Sequence, residues 1–142
     1  MYVPSDSFGG LSPERKAADA LRTLFTFIAV KIVLAQLEGS GRGSLASYNA
    51  TDYQDLTTFL EEVPLRDGDA WLTLLLRRNE MLALRIMEVR AAYSVEDFEW
   101  ESCKKLAVND IKNANVKMMR QYATDAFKRA VGTDTSGADT PP

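Results

Sequence analysis

The sequence has no histidine and a single cysteine, Cys103, in 142 residues. The first absence excludes a Ser-His-Asp triad, a Cys-His pair and any His-based metal site. The second excludes an intramolecular disulfide and a Cys-rich zinc site, and a lone thiol fits a reducing compartment. Cys103 reads as a small residue of the interior. Glycine and proline are missing from Ala70 to Val131, so nothing there forces a helix to stop. Positive charge is not in excess. The 17 Lys and Arg face 20 Asp and Glu, for a net charge of −3, which argues against a nucleic-acid binder. A membrane-spanning run is also missing. The most apolar stretch, Leu24 to Leu37, is interrupted by Lys31 and Gln36 and falls short of about 20 apolar residues. No basic segment followed by an apolar block opens the chain, so no secretory signal is expected.

What is present is a chain with 46% apolar residues, enough for a core in one domain of ordinary size. Residues 1–11 hold two Ser, one Pro and two Gly and read as a flexible leader. Ser12-Pro13-Glu14 is a helix start: a capping hydroxyl, proline in the first turn and an acid beside it. The first helix is predicted from Pro13 to Glu38, with GSGRGS (39–44) as a turn. A second helix runs from Tyr48 to about Glu62, before Pro64. Asp67-Gly68-Asp69 reads as a turn and a cap. The glycine-free run after Ala70 carries one or two helices, with a break at Asn79-Glu80 and a bend at Tyr93-Ser94. The tail, 132–142, is small and polar and is expected to be disordered. No strand-like alternation persists, so the fold class is all-α, with one helical domain over 12–131.

The first helix has more apolar surface than one packed stripe requires. Leu21, Leu24, Phe25, Ile28, Ile32 and Ala35 are placed on one face, and Phe27, Val30, Val33, Leu34 and Leu37 on the other. One set needs a cover: a deeper core, a second subunit or a bound peptide. The C-terminal run repeats the problem with Leu106, Ile111, Met118 and Tyr122 at helical spacing. A helix of about 40–60 residues would reach about 60–90 Å, beyond a small domain, and this favours a homodimer.

The polar groups suggest little chemistry. Glu61-Glu62, Asp67, Asp69 and the acids from Glu96 to Glu101 sit where caps and helix dipoles account for them. GSGRGS lacks the Lys-Ser/Thr ending of a phosphate loop, so no nucleotide site is expected. Arg77, Arg78, Arg85 and Arg90 read as solvated helix charges or as a site for carboxylates on a partner. Met81, Met87, Met118 and Met119 read as core or interface filler.

LFTFIAVKIVLAQLEGSG (24–41), LALRIMEVRAAY (82–93), DFEWESCKKLA (97–107) and NANVKMMRQY (113–122) resemble RbcX, the assembly chaperone of Rubisco. The LEGSG turn, FEWE and NVKMMRQY resemble the eukaryotic, chloroplast, type II form. The resemblance implies a four-helix bundle with a long kinked C-terminal helix, paired as a boomerang-shaped homodimer. It implies a non-catalytic protein of the chloroplast stroma with no cofactor, no metal, no nucleotide, no nucleic acid and no membrane partner. Its partner is the Rubisco large subunit. The C-terminal peptide of that subunit would lie in a central apolar groove, to which Leu24, Phe27 and Leu65 carry over. Gln36, Arg85 and Asn115 carry over to corners that touch the body of the large subunit. The family's corner glutamate aligns with Gly39, with Glu38 adjacent, and its second corner arginine with Met119, with Arg120 adjacent. The alternative is a helical homodimeric adaptor that shares the fold and serves another client.

Overall fold

The computed structural model describes residues 9–39 and 46–138, with side chains described for 9–39 and 50–132. The expected leader up to residue 8 and the GSGRGS turn beyond Gly39 lie outside the described residues, as does the tail from residue 139. Among the described residues every regular element is helical and no strand occurs. The helices are α1 (Pro13–Gly39), α2 (Ala46–Glu62), α3 (Gly68–Arg78), α4 (Glu80–Ala92) and α5 (Trp100–Ala138), with a π-helical turn at Tyr93–Asp97. The chain divides after Phe98 into two compact units.

Local chemistry sets the boundaries in the first unit. Ser12 caps α1 as its sequence predicts: its Oγ accepts from the Arg15 N–H at 3.0 Å, and its carbonyl accepts from the Lys16 N–H at 3.0 Å. Asp67 caps α3, accepting from the N–H groups of Asp69 at 3.0 Å and Ala70 at 3.4 Å. Asn79 separates α3 from α4 and serves both. Its backbone N–H closes α3 on the Leu75 carbonyl at 2.7 Å, and its side-chain oxygen accepts from the Leu82 N–H at 3.2 Å. Its extended backbone turns the chain without glycine or proline. The Asn79 amide also donates to Asp52 of α2 at 3.3 Å.

The core of this unit is built from all four of its helices. Ala29, Val30, Val33 and Leu37 of α1 meet Leu56 and Phe59 of α2, Trp71, Leu72 and Leu75 of α3, and Leu82, Ala83 and Ile86 of α4. Trp71 packs edge-on to Phe59, with ring centroids 5.1 Å apart. Its indole N–H donates to the Val63 carbonyl at 3.0 Å, so the largest core residue leaves no buried donor unpaired.

The expected bend at Tyr93-Ser94 is the π-helical turn. The Phe98 N–H reaches back five residues to the Tyr93 carbonyl at 2.9 Å, and Phe98 itself is extended. Tyr93 and Phe98 both lie against Phe25 of α1, with centroids 5.9 and 4.9 Å away. In the second unit α5 is a helix of 39 residues, about 60 Å long at the usual rise.

The helical backbone of α5 continues through Gly132 to Ala138. Three expectations need correction. Cys103, expected inside, is exposed. It stands on α5, where every residue from Trp100 to Gly132 except Ala126 is exposed. As a 27-residue helix, α1 is long and apolar enough to cross a membrane, although the Leu24–Leu37 stretch alone reads as too short. Part of that apolarity is used in the core. Finally, the buried face of α1 is neither of the two expected sets. It comprises Phe25 of the first set, Val30, Val33 and Leu37 of the second, and Thr26 and Ala29 of neither, centred on a 25-29-33-37 row. The difference arises because two nearly equal apolar faces leave the orientation to tertiary packing.

Candidate functional site

Turning the 25-29-33-37 row inward turns Leu24, Ile28, Lys31 and Ala35 outward. Leu24 and Phe27 are 44% and 46% exposed, while Ile28 and Ile32 are half-buried. The opposite face of α1 is filled by the core, so these side chains form a second apolar face, as the surplus of α1 requires. Lys31 stands one turn beyond Phe27, its ammonium 5.4 Å from the ring centroid. That distance suits a cation held over an aromatic face.

The link between α2 and α3 is fastened beside this face. Gly68 donates a long N–H bond of 3.4 Å to Thr23 Oγ1. A Cβ at Gly68 would come within 2.6 Å of Thr26 Oγ1, so the close approach of α3 to α1 depends on glycine. Leu65, in this link, is half-buried and packs on the core. Thr26 is fully buried. Its hydroxyl donates to the Arg22 carbonyl at 2.8 Å and accepts from Arg90 Nη1 at 3.0 Å. Arg90 also pairs with Asp69 at 2.7 Å, and Arg22 reaches the other Asp69 oxygen at 3.3 Å. Near the start of α1, hydrogen bonds from Arg15 hold the exposed Asp19 carboxyl below the ordinary carboxylate range, despite some desolvation.

The expected corner residues separate into two groups. Gln36 and Arg85 are brought together: Arg85 Nη2 donates to Gln36 Oε1 at 2.7 Å across α1 and α4. Arg85 also lines an open depression of about 490 Å³ with Asp52, Met81, Leu82, Leu84 and Glu88. Glu38 is exposed, but it lies about 160° around α1 from Gln36. Asn115 and Arg120 stand on α5, in the second unit, about 140° apart around the axis and so on different faces. Asn115 instead shares a stripe with Val108, Ile111, Met118 and Tyr122, spaced alternately three and four residues apart. In that stripe Ile111, Met118 and Tyr122 are 61%, 61% and 70% exposed.

Three of the four arginines read as solvated charges or as a carboxylate site are divided among separate tasks. Arg78 pairs with Glu62 and lies over Phe59. Arg90 holds Asp69 and Thr26, and Arg85 holds Gln36. The two carboxylates, Glu62 and Asp69, belong to the chain itself. No cluster of three or more metal-ligand side chains occurs among the described residues. Lys31 is the residue that sequence reasoning undervalued. It reads as an interruption of an apolar run, whereas the interruption falls in the middle of the exposed face.

Comparison with known proteins agrees with this arrangement. The sequence model of the RbcX protein family matches residues 14–128. The chain is 44% identical over 128 residues to the Chaperonin-like RBCX protein 1, chloroplastic, of Arabidopsis thaliana, covering 88% of this chain and 68% of that one. It is similar to the crystal structure of RbcX-IIa from Chlamydomonas reinhardtii, at 47% identity and a TM-score of 0.71 over 84% of this chain and 98% of that one. A second structure of the Chlamydomonas protein, in complex with the RbcL C-terminal tail, matches at 46% identity and a TM-score of 0.66 over 77% and 96% of the two chains. With the family sequence matched across all five helices and the fold shared with its solved members, this chain belongs to the RbcX family.

Proposed function

We propose that this protein is a non-catalytic assembly chaperone that holds the C-terminal tail of the Rubisco large subunit, RbcL. The observation that carries the proposal is the outward apolar face of α1. Leu24 and Phe27 remain 44% and 46% exposed on a helix whose other face already fills the core. A peptide in an extended conformation, with apolar side chains to bury, is a suitable cover. The Chlamydomonas relative bound to an RbcL tail supports that choice of ligand.

The working unit is a homodimer in which two such faces, each with Leu65 nearby, border one groove. The apolar stripe of α5 at Val108, Ile111, Met118 and Tyr122 supports pairing, since its spacing is that of a helix seam. Gln36 and Arg85 form a polar corner against the body of the large subunit, with Asn115, Glu38 and Arg120 as further corner contacts. The helical domain of residues 12–131 carries these sites. The chloroplastic relative supports a chloroplast location, and in this reading the protein acts in the stroma. The dimer would clamp two large subunits and leave as the octameric core closes. Release requires moderate affinity, and ordering a flexible tail subtracts from the gross binding energy.

The test is binding of a labelled large-subunit tail peptide to Phe27→Asp beside the parent protein. Phe27 is half exposed, so the variant should fold and keep its mass by light scattering. Affinity should drop at least about tenfold, equivalent to about 1.4 kcal/mol. Unchanged affinity would remove α1 from the groove.

A further inference from the structure

Between Leu24 and Ala35, Lys31 is the only charged residue of α1. Residues 24, 28, 31 and 35 share one face, so this cation stands in the middle of the outward apolar stripe. Its ammonium lies over the Phe27 ring at 5.4 Å, and none of the ion pairs among the described residues includes it. Glu38 lies one heptad further along the same face, about 10 Å away along the axis. The arginines near α1 are engaged: Arg15 and Arg22 hold Asp19, and Arg90 holds Asp69, while Lys16 lies near the start of α1, about four turns from Lys31.

An occupant that covers Phe27 also removes water from the ammonium lying over it. A desolvated, unpaired cation is costly, whereas the same cation with a carboxylate against it is stabilising and directional. The apolar face therefore selects for more than hydrophobicity. We infer that Lys31 is the anion anchor of this face, and that its ammonium takes a carboxylate of the tail peptide whose apolar side chain covers Phe27 and Leu24. This rests on the tail-binding reading above. The carboxylate is the terminal one that any C-terminal tail carries, or that of an acidic side chain within it. In either case it fixes the direction and register of a peptide that apolar contacts alone would let slide.

The experiment is a fluorescence-anisotropy titration of the full chain with three synthetic large-subunit tail peptides. One has a free C-terminus, one is C-amidated, and one has its acidic side chains replaced by their amides. Each is titrated into the parent, Lys31→Met and Lys31→Arg, at salt from about 50 to about 500 mM, where screening changes most. Lys31→Met should weaken the free-acid peptide about tenfold or more and flatten its salt dependence, while Lys31→Arg stays within about threefold of the parent. One neutralised peptide should bind the parent as weakly as the free-acid peptide binds Lys31→Met, with no further loss when the two changes are combined. Which peptide does so identifies the carboxylate. Full affinity in Lys31→Met, or equal and additive losses with all three peptides, would overturn the anchor while leaving the tail-binding reading intact. No binding of any peptide by the parent would overturn both.

Discussion

Gly68 of α3 lies close against Thr26 of α1, and the pair explains why a polar side chain sits fully buried in an apolar stripe. Thr26 is satisfied on both sides, by the Arg22 carbonyl and by Arg90. A methyl group at position 68 would meet its hydroxyl at 2.6 Å. Gly68→Ala is therefore expected to destabilise the first unit by about 1–3 kcal/mol, the range for overpacking a closed site. A denaturation midpoint equal to the parent's would show that the two helices separate freely. Arg85 works differently. Its guanidinium holds Gln36 at an exposed corner, where such contacts add about 1 kcal/mol or less to stability. Arg85→Ala should thus leave the midpoint and tail-peptide binding nearly unchanged, but lower the yield of assembled large-subunit octamer. An unaltered yield would remove this corner from the account.

At the scale of elements, helix ends were more legible than helix faces. Ser12, Asp67 and Asn79 are short-range signals: each side chain or backbone group serves a partner within four residues, and sequence alone contains that geometry. Asn79 was readable as a break, although its second task, donating to Asp52 of α2, depends on the tertiary fold. Asn79→Ala should cost about 1 kcal/mol for the cap alone and somewhat more for the lost bond to Asp52. A thermal melt would register this, and a change below a few tenths of a kcal/mol would mean that α3 and α4 stop for another reason. The faces of α1 were less legible because almost every position is apolar, and periodicity cannot orient a helix that is apolar all round. That two-sidedness was readable, and it was the correct clue to a second surface. The membership of each side was not, since Phe25 turns inward to Tyr93 and Phe98 while Phe27 turns outward. Cys103 was misplaced for a related reason: residue-type statistics cannot tell that nearly every described side chain of α5 is exposed.

In the whole molecule an ordinary core is joined to an excess of apolar surface. Four helices close around Trp71, Leu56 and Val33. Beyond that core, α1 and α5 each keep an apolar stripe that the chain itself leaves exposed. The family resemblance carried by 24–41, 82–93, 97–107 and 113–122 implies a peptide on α1 in a homodimer, and the spacing of the α5 stripe suits a second copy as its cover. The central claim is that one groove, shared by two chains, holds one large-subunit tail. It is tested most directly by titrating the purified protein with a labelled C-terminal peptide of the Rubisco large subunit, beside a scrambled peptide, with the mass measured by light scattering on the same sample. The account predicts a mass twice that of the 15.8 kDa chain and saturable binding of the native peptide alone, at one peptide per two chains. A folded protein that binds neither peptide, or binds both alike, would contradict it.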